Sequence, residues 1–308
     1  IVMPERIVIG SRGSELALRQ SEQIAHALRA RAPDTDVVIE IIRTTGDKIT
    51  DVPLAQIGGK GLFTKEIEEA LLAGAIDLAV HSMKDLPTEL PPGLCLGAVP
   101  KRENPRDVLV SSAGLTLDQL PPGARVGTSS LRRAAQLRAF RGDLALLPLR
   151  GNVNTRLRKV SEGGVDAAIL AAAGLSRLGL SHQITQEIPE TIMLPAPAQG
   201  ALAIETRQDD AEILRRLAPL DDPETRRAVA AERTFLAAMQ GGCQVPLGAL
   251  ATRSGESILL DACVCSLDGA RILRCRTSSR HDRPEDAGNQ AAAELRARGA
   301  GALLESLR

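Results

Sequence analysis

Aromatic side chains are almost missing from this sequence. Its 308 residues include three phenylalanines and neither tryptophan nor tyrosine. Hydrophobic cores must therefore be built from leucine, isoleucine, valine and alanine, and few rings are present on which the bases of single-stranded nucleic acid could stack. The 38 basic and 38 acidic residues also cancel, which argues against bulk attraction to nucleic acid or to a membrane.

Long apolar runs and evenly paired cysteines are lacking as well. No stretch of about eighteen apolar residues occurs, and the first residues enter a strand-like pattern without a signal peptide. The five cysteines are odd in number and do not resemble a disulfide framework, which favours a reducing compartment. We expect a cytoplasmic protein that does not contact a membrane.

Lysine is scarce, whereas arginine is abundant. Six of the 38 basic residues are lysines, which leaves 32 arginines. The planar guanidinium suits two-point recognition of carboxylate or phosphate, but a GC-rich genome also produces a chain rich in arginine and alanine. Composition leaves both explanations of the arginine content open.

The length of the chain predicts two or three domains.

The chain opens with a strand, a loop and a helix. Residues 6–10 are rich in β-branched side chains, and an apolar helical pattern runs from residue 16 to about residue 30. Ser14 is the candidate N-cap, and a capped helix start attracts anions. An ordinary capped turn would have the same sequence.

A second strand is expected at residues 37–42, and a later buried strand, residues 76–81, leads directly into Ser82, Met83, Lys84 and Asp85. Ligands of open α/β sheets bind at the carboxyl ends of the strands. Asp85 could form a surface ion pair, or it could stabilise a developing cation and move a proton. The preceding glycine-containing stretch, residues 43–63, has little periodicity and is typical of a lid or binding loop.

The strand, loop and helix pattern repeats in residues 125–170, after a charged, proline-containing crossover at residues 101–107. Strands are expected at residues 125–128, 144–149 and 166–170, with a helix after each of the first two. Arginines follow the first two strands, and arginines around capped helix starts bind anions strongly. These arginines are Arg132, Arg133, Arg150 and Arg156.

The last third predicts a small α+β domain after a proline-rich return at residues 194–200. A strand is expected at residues 201–206, then two helices, then a hairpin over residues 257–278, and a final helix from about residue 286 to residue 307. Three of its cysteines could suggest a metal, but no fourth ligand has zinc spacing, so we interpret them as small core residues. They are Cys263, Cys265 and Cys275, and we expect Cys95 to be core too.

Cys243 lies in the sequence Gly-Gly-Cys-Gln-Val-Pro, residues 241–246. The two glycines allow a sharp turn that exposes the thiol. Cys243 could be a small buried residue, a covalent attachment point or a nucleophile. A nucleophile needs a base or a positive charge nearby, and no histidine lies close in sequence.

Five segments together resemble the porphobilinogen deaminase family, also called the hydroxymethylbilane synthases. They occur in the family's order and span most of the chain, from about residue 6 to residue 250. The segments are residues 58–63, 81–85, 126–133, 149–153 and 241–246.

The resemblance implies two α/β domains of the type II periplasmic-binding-protein kind around a cleft, plus a small α+β C-terminal domain. The implied first domain comprises residues 1–100 and 199–219. The second comprises residues 101–198, and the third residues 220–308. Ala198 stands where the family more often has glycine, and little of the third domain beyond residue 255 matches.

The resemblance also implies an activity and a cofactor. The enzyme joins four porphobilinogen molecules head to tail, with loss of ammonia from each, to give hydroxymethylbilane for tetrapyrrole and heme biosynthesis. The product grows on a dipyrromethane joined to Cys243 by a thioether. We expect a monomer whose partner is the small-molecule substrate, with no metal and no nucleic acid.

By match to the family, Asp85 is the catalytic carboxylate, which stabilises the cation left by loss of ammonia and moves protons. The groups expected to hold the cofactor are Cys243, Lys84, Ser129, Ser130, Arg132, Arg133 and Gln199. Those expected to bind the substrate are Arg12, Ser14, Phe63, Arg150, Arg156 and Arg177. Glycine-rich residues 43–61 would form a lid that excludes water.

Two functions of other classes remain as alternatives. A non-catalytic binding protein with the same two-lobed architecture would lack Asp85 or Cys243, or would carry an export signal. An acyl transferase with a cysteine nucleophile would need a histidine that converges on Cys243 in three dimensions.

Overall fold

The computed structural model describes residues 6–48, 63–240 and 245–305, with the side chains of residues 47 and 48 left out. The chain divides into two compact units. The first unit comprises Ile1–Arg102 and Ala201–Arg226, and the second comprises Glu103–Gly200 and Arg227–Arg308. The chain therefore leaves the first unit and later returns to it. Throughout the described ranges, no helix is both long enough and apolar enough to cross a membrane.

The first unit contains a five-stranded sheet in the order β2-β1-β3-β10-β4. Strand β1 runs parallel to β2 and β3, whereas β10 runs antiparallel to its neighbours β3 and β4. The strands are β1 Arg6–Ser11, β2 Asp36–Ile41, β3 Leu78–Ser82, β4 Leu94–Ala98 and β10 Leu202–Arg207.

Helices cover both faces of this sheet, as the alternation of its buried side chains requires. Leu78 and Val80 of β3 belong to the apolar cluster under α1, while Ala79 belongs to the opposite cluster under α3. The helices are α1 Glu15–Arg31, α2 Thr45–Lys48, α3 Lys65–Leu72 and α7 Ala211–Leu217.

A second five-stranded sheet, in the second unit, has the order β7-β6-β8-β5-β9. Strand β6 runs parallel to β7 and β8, and β5 runs antiparallel to β8 and β9. The strands are β5 Asp107–Ser111, β6 Arg125–Gly127, β7 Ala145–Leu147, β8 Ala167–Ala171 and β9 Gln186–Glu187. Both sheets thus insert one antiparallel strand at the same place, which confirms the predicted repeat of architecture.

Three helices accompany the second sheet, each beginning just beyond the carboxyl end of a strand. They are α4 Leu131–Phe140, α5 Val153–Ser161 and α6 Ala172–Arg177. Ser130 caps α4 and Asn152 caps α5 through side-chain oxygens that accept backbone N–H groups. These caps fix where the two loops of the predicted arginine-rich site turn into helix.

The third sheet is antiparallel, with its strands in chain order, and packs on helices from the end of the chain. Gly288 allows two of these helices to approach closely, since a Cβ there would lie 2.5 Å from the Ala231 carbonyl oxygen. The elements are β11 Leu247–Ser254, β12 Ser257–Cys265, β13 Ile272–Arg280, α8 Pro223–Ala238, α9 Pro284–Ala297 and α10 Ala300–Glu305.

Several sequence predictions need correction. The hairpin of β12 and β13 is confirmed, but strands β4, β5, β9 and β11 were not predicted. The final helix is broken at Gly299, whose φ of +95° is incompatible with a continuous α-helix. Residues 45–48 of the predicted loop form α2, while residues 49–62 lie outside the described residues.

The structure separates the cysteines that the sequence placed together. Cys263 and Cys265 are buried in a cluster with Ala135 of α4, whereas Cys275 faces the opposite side of the sheet, toward α9. Their interpretation as small core residues is confirmed by this burial. Cys95, on β4, is only partly buried instead of lying in the core.

Ala198 adopts a left-handed backbone conformation with φ of +62°. Its N–H donates to the Oε2 atom of Glu232 at 2.6 Å, which holds this returning segment to α8. A non-glycine residue in this conformation carries strain of roughly 1–2 kcal/mol.

We expect Ala198→Gly to be more stable than the matched control Ala196→Gly by about 1–2 kcal/mol, because only residue 198 is relieved of left-handed strain. Urea denaturation of the two variants measures the difference in the free energy of unfolding. Equal losses in both variants would show that the Ala198 backbone stores no strain.

Candidate active site

A cavity of about 490 Å³, which includes some open solvent, lies in the first unit at the carboxyl ends of β1 and β3. Adjacent parallel strands end at the same edge of a sheet, so the loops that follow them meet there. The cavity is lined by residues that include Arg12, Ser14, Phe63, His81, Ser82 and Asp85.

The loop after β1 supplies the basic side of the cavity. The guanidinium of Arg12 lies over the ring of Phe63, 4.2 Å from its centroid. Ser14 is the N-cap of α1, as predicted, and its Oγ atom accepts the Ala17 N–H at 3.3 Å. The start of α1 and the Arg12 charge therefore present a positive potential to the same space.

Asp85 reaches the cavity from a single 3₁₀ turn, Met83–Asp85, at the end of β3. Met83 is fully buried, and its N–H donates to the Ala201 carbonyl oxygen on the neighbouring chain segment at 3.0 Å. This anchor fixes the turn, so Asp85 lies exposed at the cavity wall with the partly buried Lys84 beside it.

Gln20 is a cavity residue that sequence reasoning missed. Its Nε2 atom donates to the Oγ atom of Ser82 at 2.8 Å, and the side chain is almost fully buried. Gln20 lies on the buried face of α1, which also carries Ala17 and Ile24. A glutamine on the helical face that carries Ile24 and Leu28 was the signal available in the sequence.

In the second unit, Arg132 and Arg133 converge on one buried carboxylate, that of Asp107. Arg132 Nη1 lies 2.5 Å from Oδ2, and Arg133 Nη2 lies 2.7 Å from Oδ1. Asp107 is 0% exposed, and the two arginines are 5% and 6% exposed. Two guanidiniums and one carboxylate leave this group with one net positive charge.

Gln199 completes the group, since its Nε2 atom donates to Asp107 Oδ1 at 3.0 Å and to the Pro105 carbonyl oxygen at 2.7 Å. Burial tends to raise the pKa of Asp107, but Arg132 and Arg133 outweigh it and hold that pKa well below its usual range. The structure thus brings together three of the residues predicted from sequence, around an aspartate that was not predicted.

The serines predicted to hold the cofactor shape the loops of the second unit. Ser129 Oγ accepts the Leu149 N–H at 3.0 Å and donates to the Leu149 carbonyl oxygen at 3.1 Å, which joins the ends of β6 and β7. Ser130 caps α4 by accepting the Arg133 N–H at 3.4 Å. Both hydroxyls therefore fix the backbone beside Arg132.

The remaining predicted arginines are partly buried. Arg150 follows β7, and Arg156 Nε donates to the Gly151 carbonyl oxygen at 2.9 Å. Arg177 Nη2 donates to the Gly200 carbonyl oxygen at 2.7 Å. Burial lowers the pKa of Arg177, and nearby Glu103 opposes that shift. Cys243 lies outside the described residues.

The fold and the cavity define a class: an α/β protein whose first sheet presents a carboxylate and cationic groups at one edge, as binding of carboxylated small molecules requires. The family models for "Porphobilinogen deaminase, dipyromethane cofactor binding domain" and "Porphobilinogen deaminase, C-terminal domain" match residues 7–215 and 226–297. The chain belongs to the porphobilinogen deaminase family.

Curated relatives match along nearly their whole length. The porphobilinogen deaminase of Desulforudis audaxviator is 56% identical and that of Roseiflexus castenholzii 54%, over 99% and 98% of this chain and 99% of each relative. The porphobilinogen deaminase of Brevibacillus brevis is 52% identical over 96% of both chains.

Similarity to solved structures is weaker. The periplasmic aliphatic sulphonate binding protein SsuA from Escherichia coli is 16% identical and has a TM-score of 0.37, over 77% of this chain and 71% of that one. A TRAP periplasmic solute binding protein from Desulfovibrio salexigens is 11% identical, with a TM-score of 0.43 over 71% and 72%.

The family implies a dipyrromethane cofactor, and the described residues suit such a group. Its pyrrole N–H groups would need an acceptor, for which the Asp85 carboxylate is available, and its carboxylates would need cations such as Arg12.

Proposed function

We propose that this protein is a transferase that deaminates four porphobilinogen molecules and joins them head to tail into hydroxymethylbilane, on a covalently bound dipyrromethane. The observation that carries the proposal is the cavity in which Asp85 and Arg12 meet at adjacent strand ends, in a chain of this family. The small-molecule partner is porphobilinogen, and the product serves tetrapyrrole and heme biosynthesis.

Binding and orientation of the substrate are the first task of the cavity. Each porphobilinogen carries two carboxylates, and Arg12 can bind one through two parallel hydrogen bonds. The capped start of α1 at Ser14 adds a positive potential, and Phe63 holds the Arg12 guanidinium in place by stacking. Fixed orientation of the ring contributes a large share of the reduction in the barrier.

Asp85 is the catalytic residue of the proposed reaction. Its carboxylate accepts the pyrrole N–H and stabilises the cation that forms when the substrate loses ammonia. The same carboxylate then takes up the proton released when the new carbon–carbon bond forms. A dipyrromethane held in the cavity would supply the pyrrole carbon nucleophile for this new bond.

The remaining site residues and the domain division form part of the same proposal. Cys243 anchors the cofactor by a thioether, with further contacts from Lys84, Ser129, Ser130, Arg132, Arg133 and Gln199. Arg150, Arg156 and Arg177 bind carboxylates of the growing chain. The net positive charge of the Asp107 group supports these roles, because several carboxylates accumulate as the product lengthens.

We further propose three domains, formed by residues 1–100 with 199–219, 101–198 and 220–308. The three separate sheets support this division. We also propose that the enzyme acts as a monomer in the cytoplasm. The free thiols of Cys95, Cys263, Cys265 and Cys275 support a reducing compartment.

The intact mass of the purified protein tests the proposed function. We expect an excess over the chain mass equal to two porphobilinogens less two ammonias, located on the peptide that contains Cys243. In Cys243→Ser this excess is expected to be lost, because an alcohol cannot replace the thiol as the anchor. The matched control Cys95→Ser is expected to retain it.

If the measured mass equals that of the chain alone, the protein is incubated with porphobilinogen or preformed hydroxymethylbilane and its intact mass is measured again. Mass gained at Cys243 supports the enzyme. A chain that gains none and forms no hydroxymethylbilane supports the non-catalytic binding protein instead.

A further inference from the structure

Three titratable residues lie behind the cavity and have no part in the mechanism above. They are His81, Glu205 and Glu68, with exposed fractions of 6%, 0% and 8%. His81 lines the cavity wall, whereas the two glutamates are not among its lining residues. We refer to these three residues as the buried proton cluster.

The sheet register places the cluster on one face. His81 lies two residues beyond Ala79 on β3, so the two side chains point to the same face. Glu205 of β10 is paired directly with Ala79, which puts it on that face as well. Ala79 packs against Ile67 of α3, the helix that also carries Glu68.

Only some of the polar atoms in the cluster have a hydrogen-bond partner. His81 Nε2 and Glu205 Oε2 are 2.9 Å apart. The second oxygen of Glu205, Oε1, and the Oε1 atom of Glu68 are buried and find no hydrogen-bond partner in the described part of the chain. Buried carboxylate oxygens without donors are costly when the group is charged.

Repulsion between the two buried carboxylates favours retention of a proton in the cluster. Two ionised carboxylates in this buried site would repel each other, and the low polarity of the site opposes both charges. A single proton on Glu68 removes that repulsion. Burial raises the pKa of Glu68, and the Glu205 carboxylate adds to the increase, while Thr64 and His81 partly offset it.

Other charged groups face the cluster from each neighbouring element. Glu69 lies next to Glu68 on α3 and acts to raise the pKa of Glu68. From β4, the Cys95 thiol lies near Glu205, which together with burial raises the pKa of that thiol. Arg12 and Asp85 lie on the cavity side, beyond His81.

We propose that Glu68 is held as a neutral acid and that the buried proton cluster positions His81 as a wall of the cavity without adding negative charge behind it. Glu205 fixes the His81 ring, and Glu68 keeps its proton so that the wall does not repel carboxylates. The three are positioning residues that act through His81, and this second part rests on the proposed function.

The pH dependence of stability tests the protonation state without any activity. A group whose pKa is raised on folding contributes stability at pH values below its unfolded pKa, about 4.3 for glutamate, and this contribution is lost as the pH rises toward the folded pKa. Glutamine resembles the neutral acid in shape and does not ionise. The ratio of the folding constants of the wild type and Glu68→Gln should therefore fall with rising pH, by up to tenfold per pH unit.

Urea denaturation of the purified protein from about pH 4 to about pH 8 measures this ratio. Glu69→Gln is the matched control, because its side chain is mostly exposed beside Lys65 on the same helix, and its ratio should stay nearly constant. A constant ratio for Glu68→Gln would overturn the proposal, because Glu68 would then ionise alike in both states.

The pH dependence of KM for porphobilinogen tests the positioning role. The KM of the wild type is expected to rise as the pH approaches the folded pKa of Glu68, because the new charge repels the carboxylates of the substrate. In Glu68→Gln the KM should rise less over the same range, with little change in the pH dependence of kcat.

Parallel KM profiles in both proteins would refute the positioning role even if the stability result holds. Absence of any activity with porphobilinogen in the wild type would instead refute the proposed function. The stability experiment would still decide whether Glu68 carries a proton, so the two failures are distinguishable.

Discussion

Asp85→Asn is expected to lower kcat by about 10²- to 10⁴-fold, the range usual for loss of a general acid–base group. The amide keeps the size of the side chain but carries no charge, so it neither stabilises the substrate-derived cation nor accepts its proton. Since Asp85 is exposed at the cavity wall, the substitution should leave folding intact. Single-turnover consumption of porphobilinogen measures the loss directly.

Two controls make this result specific to Asp85. Glu89→Gln removes an exposed carboxylate four residues further along the chain and should retain near-normal turnover. The intact mass of Asp85→Asn should be compared with that of the wild type, so that loss of cofactor is not mistaken for loss of catalysis. Near-normal turnover by a fully loaded Asp85→Asn protein would remove Asp85 from the mechanism.

Asp107→Asn is expected to have the largest effect on stability, a loss of about 3–5 kcal/mol in the free energy of unfolding. The carboxylate is the shared counter-ion of two buried guanidiniums, those of Arg132 and Arg133, and the amide would leave both charges without it. Urea denaturation at neutral pH measures the loss. Asp143→Asn, which removes one partner of the exposed pair with Arg141, should cost far less because solvent screens that pair.

Asp107 also makes the free energy of unfolding depend on pH in the acid range. Because the pKa of Asp107 is lower in the folded protein than in the unfolded chain, its contribution is present above the unfolded pKa of about 3.9 and is lost as the pH falls below it. The difference in stability between the wild type and Asp107→Asn should therefore shrink in acid. A difference that is small at neutral pH and independent of pH would contradict the ion-pair assignment.

The sequence predicts the local features of the site well. Capping of α1 by Ser14 depends on residues within the next turn, so it is visible in the sequence and is confirmed. The position of Asp85 just beyond a buried strand is equally local, since an apolar run followed by polar residues indicates where the strand ends.

The groups behind the site could not be predicted, because their partners are far apart in sequence. Asp107 is 25 residues from Arg132 and 92 from Gln199, and its charged, proline-containing surroundings suggested a crossover between domains. His81 and Glu205 are 124 residues apart. Only the pairing of β3 with β10 brings them into contact, and that pairing depends on the long return of the chain.

The return of the chain to the first sheet limits which fragments can fold and how the sheet forms during synthesis. Among the described strands, β4 pairs with β10 alone, and β10 is also the antiparallel neighbour of β3. A fragment that ends before residue 202 would leave one edge of β3 open and β4 with no partner. During synthesis the N-terminal sheet therefore cannot be completed until about a hundred further residues, including β10, have emerged from the ribosome. Until then its unpaired edge is prone to aggregation.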